Sequence, residues 1–308
     1  MLNNFLTVGQ QVLILFILIL VGLFCSKLKM INEKSIDGLT NIVLYFVTPC
    51  VIIKSFQRAL EPQMIKELGI VFGIAILVHI VSIIVANIFI KDNDENRLRV
   101  LRFAVIFSNC GFMSLPLQEA LLGSDGVFYG AVYVAAFNIV VWSYGLFLMS
   151  GKKSEISAKK LLINPGIIGV TAGLLLALLS IKLPAIIAQP VSYLAALNTP
   201  LPMIIIGFYI AQLDFKVILS DCKKYLAIIL RLVAIPLVAI GIMMIFGVHG
   251  KLLVVCAIAS SAPPAAMTTM FSTKFNRDTK LSAELVSIST LISMITMPLI
   301  VGFAQYLS

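Results

Sequence analysis

Stretches of about twenty apolar residues follow one another from end to end of this chain, each long enough to cross a bilayer. A helix rises about 1.5 Å per residue, so each stretch covers roughly 30 Å of hydrocarbon. A water-soluble core cannot absorb so many of them. Composition agrees: of 308 residues, 60% are hydrophobic and only 12% charged. A soluble protein keeps about a quarter of its residues charged to solvate its surface. Lipid must therefore cover most of the outside, and the fold class expected is an all-α polytopic membrane protein.

Hydropathy predicts ten transmembrane helices, over Val8–Ser26, Ile36–Ile53, Leu68–Ile90, Val100–Leu122, Val127–Met149, Leu161–Ile181, Pro190–Ala211, Tyr225–Phe246, Leu252–Ser272 and Ala283–Tyr306. The first reads as a span and not as a signal peptide, because Lys27 and Lys29 follow it and no small-residue cleavage site is present. Counting Arg102 at the edge of the fourth span, the loops after the odd-numbered spans hold 17 of the 23 lysines and arginines. By the positive-inside rule both termini are extracytoplasmic, in a multi-pass protein of the cell membrane. Lys54, Arg58 and Lys66 around the end of the second span are the one discordant group.

The same distribution disposes of nucleic acid as a partner, since the basic residues sit in short topogenic loops and not in runs interleaved with aromatics. Cys25, Cys50, Cys110, Cys222 and Cys256 show no metal-ligand spacing, and neither a metal nor a cofactor is expected.

The central connection, Ser150 to Lys160, divides the spans into five and five, over residues 1–150 and 151–308. An odd number of spans per half makes the second half enter from the opposite side, so repeated halves would be inverted. Irregularities match between them. The second span holds Asn41 and Pro49, and the seventh Asn198, Pro200 and Pro202; the fourth reads SNCGFMSLPLQ around Pro116, and the ninth ASSAPPAAM around Pro263 and Pro264.

Proline removes an N–H and clashes with the carbonyl one turn back, so breaks are expected in the fourth and ninth spans near the bilayer midplane. Two half-helix N-termini would then face one site and attract a carboxylate without a buried cation. Ser108, Asn109, Ser260 and Ser261 flank these breaks, and Asn138 lies mid-way along the fifth span. With Gly111 and Asn41 they form the candidate substrate-binding set. The blander role of Ser, Thr and Asn in membranes is to join helices by hydrogen bonds. An amide is costly to bury in lipid, which favours Asn109 and Asn138 as substrate contacts. No Asp or Glu lies at the centre of a span, which argues against cation exchange. Arg231 is expected to snorkel to the interface, His79 to be a hydrogen-bonded core histidine, and Trp142 to pack.

The segments NIVLYFVTP (Asn41 to Pro49) and NCGFMSLP (Asn109 to Pro116), with ten spans and a short central loop, resemble the auxin efflux carrier family. That family includes plant auxin exporters and bacterial carriers linked to malonate and malate. The resemblance implies two inverted five-helix repeats whose fourth and ninth helices cross at unwound prolines. It also implies a transport domain moving elevator-like against a scaffold, alternating access for a small organic anion, and a substrate carboxylate held by Asn109 and Asn138. A homodimer through the scaffold is compatible with it, and H+ or Na+ as coupling ion stays open. The chain lacks the large hydrophilic loop of the plant members, which points to the bacterial type. The alternative is a sodium-coupled organic-anion symporter of the bile-acid-transporter type. No GxSxG or HExxH motif occurs, so no enzyme is expected.

Overall fold

The computed structural model describes residues 2–152, 163–212 and 221–308. Most of the central connection, with Lys153, Lys159 and Lys160, and the start of the sixth predicted span lie outside the described residues, as does Asp214. Among the described residues every regular element is helical. In chain order these are α1 (Leu2–Lys27), α2 (Glu33–Ser55), α3 (Pro62–Phe89), α4 (Glu95–Ile106), α5 (Cys110–Ser150) and α6 (Pro165–Leu178). There follow α7 (Ala185–Ala196), α8 (Pro200–Ala211), α9 (Cys222–Ile245), α10 (Gly250–Ser261), α11 (Met267–Lys274) and α12 (Thr279–Leu307).

Seven of the described segments are long and apolar enough to cross a bilayer: Gly9–Lys27, Glu33–Ser55, Pro62–Phe89, Cys110–Ser150, Ala185–Ala211, Cys222–Ile245 and Thr279–Leu307. The difference from the ten expected runs has local causes. The fourth and ninth runs are each split, into α4 with the start of α5, and into α10 with α11. Helix α5 would be about 60 Å long if straight, but Gly123, at φ 61° and ψ −147°, folds it into two limbs. The limbs pack so closely that a Cβ on Gly126 would lie 2.2 Å from the carbonyl oxygen of Gln118. Helix α6 is 14 residues long, shorter than the hydropathy run suggested.

Small residues set the closest crossings, as is usual where lipid removes the hydrophobic drive for association. Helices α1 and α8 meet through Gly22 and Gly207; a Cβ on Gly207 would lie 2.0 Å from Ile19 O and 3.0 Å from Gly22 Cα. On α6, Gly169 and Gly173 lie against Pro49 of α2 and Phe56 just beyond its end, where added Cβ atoms would meet them at 3.0 and 3.1 Å. The two short helices α4 and α10 occupy the centre, and every residue of α10 from Leu252 to Ser261 is buried. Exposed apolar side chains line the outside, among them Leu13, Ile14 and Ile17 of α1 and Ile80, Ile84 and Ile88 of α3.

One end of the bundle is tied by charge. Asp94, Asp221 and Asp278 cap the N-termini of α4, α9 and α12 with their side chains. Arg97 gathers three elements, pairing with Asp221, with Asp92 at 3.5 Å and with Asp278 at 3.6 Å. Burial raises the Asp221 carboxyl, but the hydrogen bond and charge of Arg97 outweigh it and hold that group below the usual carboxylate range. Lys224 and Glu284 form a buried pair between α9 and α12. At the opposite end Arg58 and Lys251 both reach Asp125, next to the fold in α5.

Candidate functional site

Helices need partners for their last four carbonyls and first four N–H groups, and a helix interrupted inside a bundle must find them there. Between α4 and α5 the chain is non-helical at residues 107–109, and between α10 and α11 at residues 262–266. The two breaks cross and pair. Asn109 N donates to Pro263 O at 2.7 Å, and Ala265 N donates to Phe107 O at 2.8 Å, forming an antiparallel bridge between Ser108 and Pro264. The double proline places its own break, because a residue before proline is driven out of the helical region; Ala262 is extended, at φ −62° and ψ 148°. Ser114 and Gln118 join α5 to α10 through Ile258 O at 3.3 Å and Val255 O at 3.0 Å.

Pro116 does not make the break assigned to it. The chain departs from helix at Phe107, and Pro116 lies in regular helix after a π turn, Cys110–Ser114. The same arrangement recurs: π turns at Val43–Val47 and Leu230–Ala234 end two residues before Pro49 and Pro236. Widening the helix by one residue relieves the clash between proline and the carbonyl four residues back. Pro49 therefore sits within α2 without interrupting it, whereas Pro200 follows the short turn 197–199 between α7 and α8 and starts the latter. Pro116→Ala is expected to tighten this π turn towards α-helix. Thermal unfolding should show unliganded stability kept within about 1 kcal/mol, while stabilisation by a ligand bound in the adjoining cavity shrinks as the segment after Asn109 rotates.

A cavity of about 90 Å³ opens beside the crossover. Asn109, Asn138 and Asn164 line it, with Ser108, Gly111 and Thr48. The caps orient two of the amides. Asn109 Oδ1 accepts from Phe112 N at 3.4 Å, and Asn164 Oδ1 accepts from Gly166 N and Ile167 N at 2.9 and 3.2 Å. With both oxygens committed to backbone donors, Nδ2 of each is the atom left for a ligand. Asn138 spends one N–H on Val134 O at 2.9 Å and keeps the other. Gly166 leaves room for this amide, since a Cβ there would come within 2.9 Å of Asn138 Nδ2 and displace it. The N–H groups of Gly111, Ala266 and Met267, all on the cavity wall, make no backbone hydrogen bond among the described residues. Among the described residues no carboxylate lines the cavity.

Other expected site residues lie elsewhere. Ser260 and Ser261 are fully buried, but their hydroxyls bond Ala257 O and Ile258 O of their own helix and do not reach the cavity. Asn41 is exposed on α2, away from the cavity. His79 is a core histidine: Nδ1 lies 2.7 Å from Ala75 O, and the ring packs among Phe107, Tyr133 and Phe137. Arg231 does not snorkel. It is 1% exposed and bonds the backbone carbonyls of Val105, Ile106 and Ser260. Asn164 was legible only as a cap signal, an asparagine before Pro165 and Gly166 at a helix start.

Residues 7–301 match the family described as membrane transport protein. The chain belongs to that family. It is the auxin efflux carrier family that the motifs around Asn41 and Asn109 resemble, and its members are transporters and not enzymes. This transporter is 25% identical to an uncharacterized transporter of Methanothermobacter thermautotrophicus, over 94% of this chain and 96% of that protein. It is 26% identical to one of Methanocaldococcus jannaschii, again over 94% and 96%. The transporter YfdV of Escherichia coli, also uncharacterized, is 22% identical over 96% of each chain.

Proposed function

We propose that this transporter carries a small organic anion and binds one carboxylate group in the cavity beside the crossover. The observation that carries this reading is the orientation of the amides. Asn109 and Asn164 have their oxygens occupied by helix caps and offer Nδ2 to the cavity, beside the N–H groups of Gly111, Ala266 and Met267, which make no backbone hydrogen bond among the described residues. Donors gathered without a carboxylate favour an anion over a cation. Leu44, Val134, Phe137 and Pro165 supply an apolar wall for the rest of the molecule.

In this reading the chain passes the membrane ten times as two inverted halves, 1–150 and 151–308, with both termini extracytoplasmic in the cell membrane. The cavity's walls support alternating access of the elevator type. Leu44, Thr48, Asn164, Pro165 and Gly166 come from α2 and the start of α6, and the remaining lining from the crossover, α5 and the start of α11. The crossover group would travel against a scaffold containing α1, α2 and α6 to α8, which could also hold a second copy of the chain.

The test is thermal unfolding of the purified protein against mono- and dicarboxylates at two pH values, with sodium or choline. A ligand bound only by the folded state stabilises by about 2.7 kcal/mol at a hundredfold excess over its dissociation constant. Selective stabilisation by a carboxylate in choline is expected. Stabilisation by sodium alone would favour the sodium-coupled symporter, and none with any anion would remove the reading.

A further inference from the structure

Arg231 is the one fully buried arginine among the described residues, and it makes no ion pair there. Its partners are all carbonyls that the crossover leaves without helical donors. Val105 O would accept from Asn109 N, which turns instead to Pro263 O. Ile106 O would accept from Cys110 N, the first residue beyond the break. Ser260 O would accept from residue 264, a proline without an N–H. Nη1 reaches Val105 O at 3.0 Å and Ile106 O at 3.2 Å, and Nη2 bonds Ser260 O. One planar group thus satisfies the carboxyl ends of both broken helices, α4 and α10.

We propose that Arg231 is the positioning residue of the crossover: its guanidinium locks the carboxyl ends of α4 and α10 together and so fixes the register of the two segments that face the cavity. Three features support this beyond the contacts. The positive charge stands where two helix dipoles end negative, so it stabilises both carboxyl ends. The π turn Leu230–Ala234, placed by Pro236, contains Arg231 itself and sets the direction of its side chain. An arginine reaches three acceptors on two helices through a planar fork, which no apolar residue can replace. The inference rests on the fold and needs no assumption about the substrate.

Two amides report on it directly, Asn109 N and Ala265 N, because they carry the hydrogen bonds between the breaks. Hydrogen–deuterium exchange of the full-length protein in detergent should be compared among wild type, Arg231→Met and Arg231→Lys. In Arg231→Met, exchange at peptides holding Asn109 and Ala265 is expected to rise about tenfold or more, with α1 and α8 unchanged. Arg231→Lys, which keeps the charge and three donors, should restore much of the protection. Unchanged exchange at both amides in Arg231→Met would overturn the proposal, and so would an equal rise across α1 and α8. Should Arg231→Met not fold, Arg231→Gln carries the test: a rise confined to the two amides supports the proposal, and none overturns it. Exchange is read without ligand, so failure here is distinct from failure of the carboxylate screen.

Discussion

Asn109→Ala is expected to weaken carboxylate binding roughly ten- to a hundredfold, the range for losing a hydrogen bond to a charged group, about 1.5–3 kcal/mol. Two functions disappear together. The Nδ2 donor to the cavity goes, and so does the oxygen that accepts from Phe112 N at 3.4 Å and starts the helix. Loss of a cap costs about 1 kcal/mol of stability by itself, so unliganded unfolding and ligand titration must be measured on the same protein. Asn109→Asp separates the two, since it keeps the cap and places an acceptor where the site needs a donor; it should bind anions no better than alanine. Anion affinity equal to wild type in both variants would remove Asn109 from the site. Asn164→Ala is expected to behave like Asn109→Ala, because its oxygen is likewise committed to two backbone donors.

Gly207→Ala should produce the largest loss of stability among single methyl additions, by opening the crossing of α1 with α8. The added Cβ would sit 2.0 Å from Ile19 O and 3.0 Å from Gly22 Cα, all backbone atoms that cannot rotate away. The helices must separate, and overpacking of this kind costs about 1–3 kcal/mol before lost contacts nearby are counted. Gly22→Ala faces Ile204 O at 2.1 Å and should behave alike. Because both act on one crossing, the double variant should cost less than the sum of the singles. Thermal unfolding of all three checks this, and anion affinity per folded molecule should not change, as neither glycine lines the cavity. Unaltered stability of Gly207→Ala would mean that the two helices are not in this contact in the membrane.

What the sequence made legible follows from the range of the forces involved. Apolar length is a local property, so helix content and membrane class could be read directly, as could the break at Pro263 and Pro264, where two restricted residues stand together. The break before α5 was misplaced because a single proline has two remedies. It can end a helix or widen it into a π turn, and only packing decides; at Pro49, Pro116 and Pro236 the π turn wins. Asn109 and Asn138 stood out as buried amides, and both line the cavity. Ser260 and Ser261 were drawn in by closeness in sequence to a break, yet their hydroxyls satisfy their own helix. Arg231 was assigned to the interface by a rule for helix ends. What holds it inside is three carbonyls from α4 and α10, between 29 and 126 positions away in sequence, which no local pattern records.

The π turns carry an implication for how such chains can change in length. Each holds one residue more than the α-helix it interrupts, so removing one residue there would restore ordinary winding. Because the bulge absorbs that residue, the helix beyond it would keep its faces, whereas the same deletion in an uninterrupted stretch would turn the remainder by about 100° and draw it back by roughly 1.5 Å. In α2 and α9 the halves beyond Thr48 and Arg231 would therefore keep their neighbours. Among the described residues, Val43–Val47, Val141–Gly145 and Leu230–Ala234 are thus places inside helices where the chain could lose one residue without reassigning helix faces or the lining of the cavity.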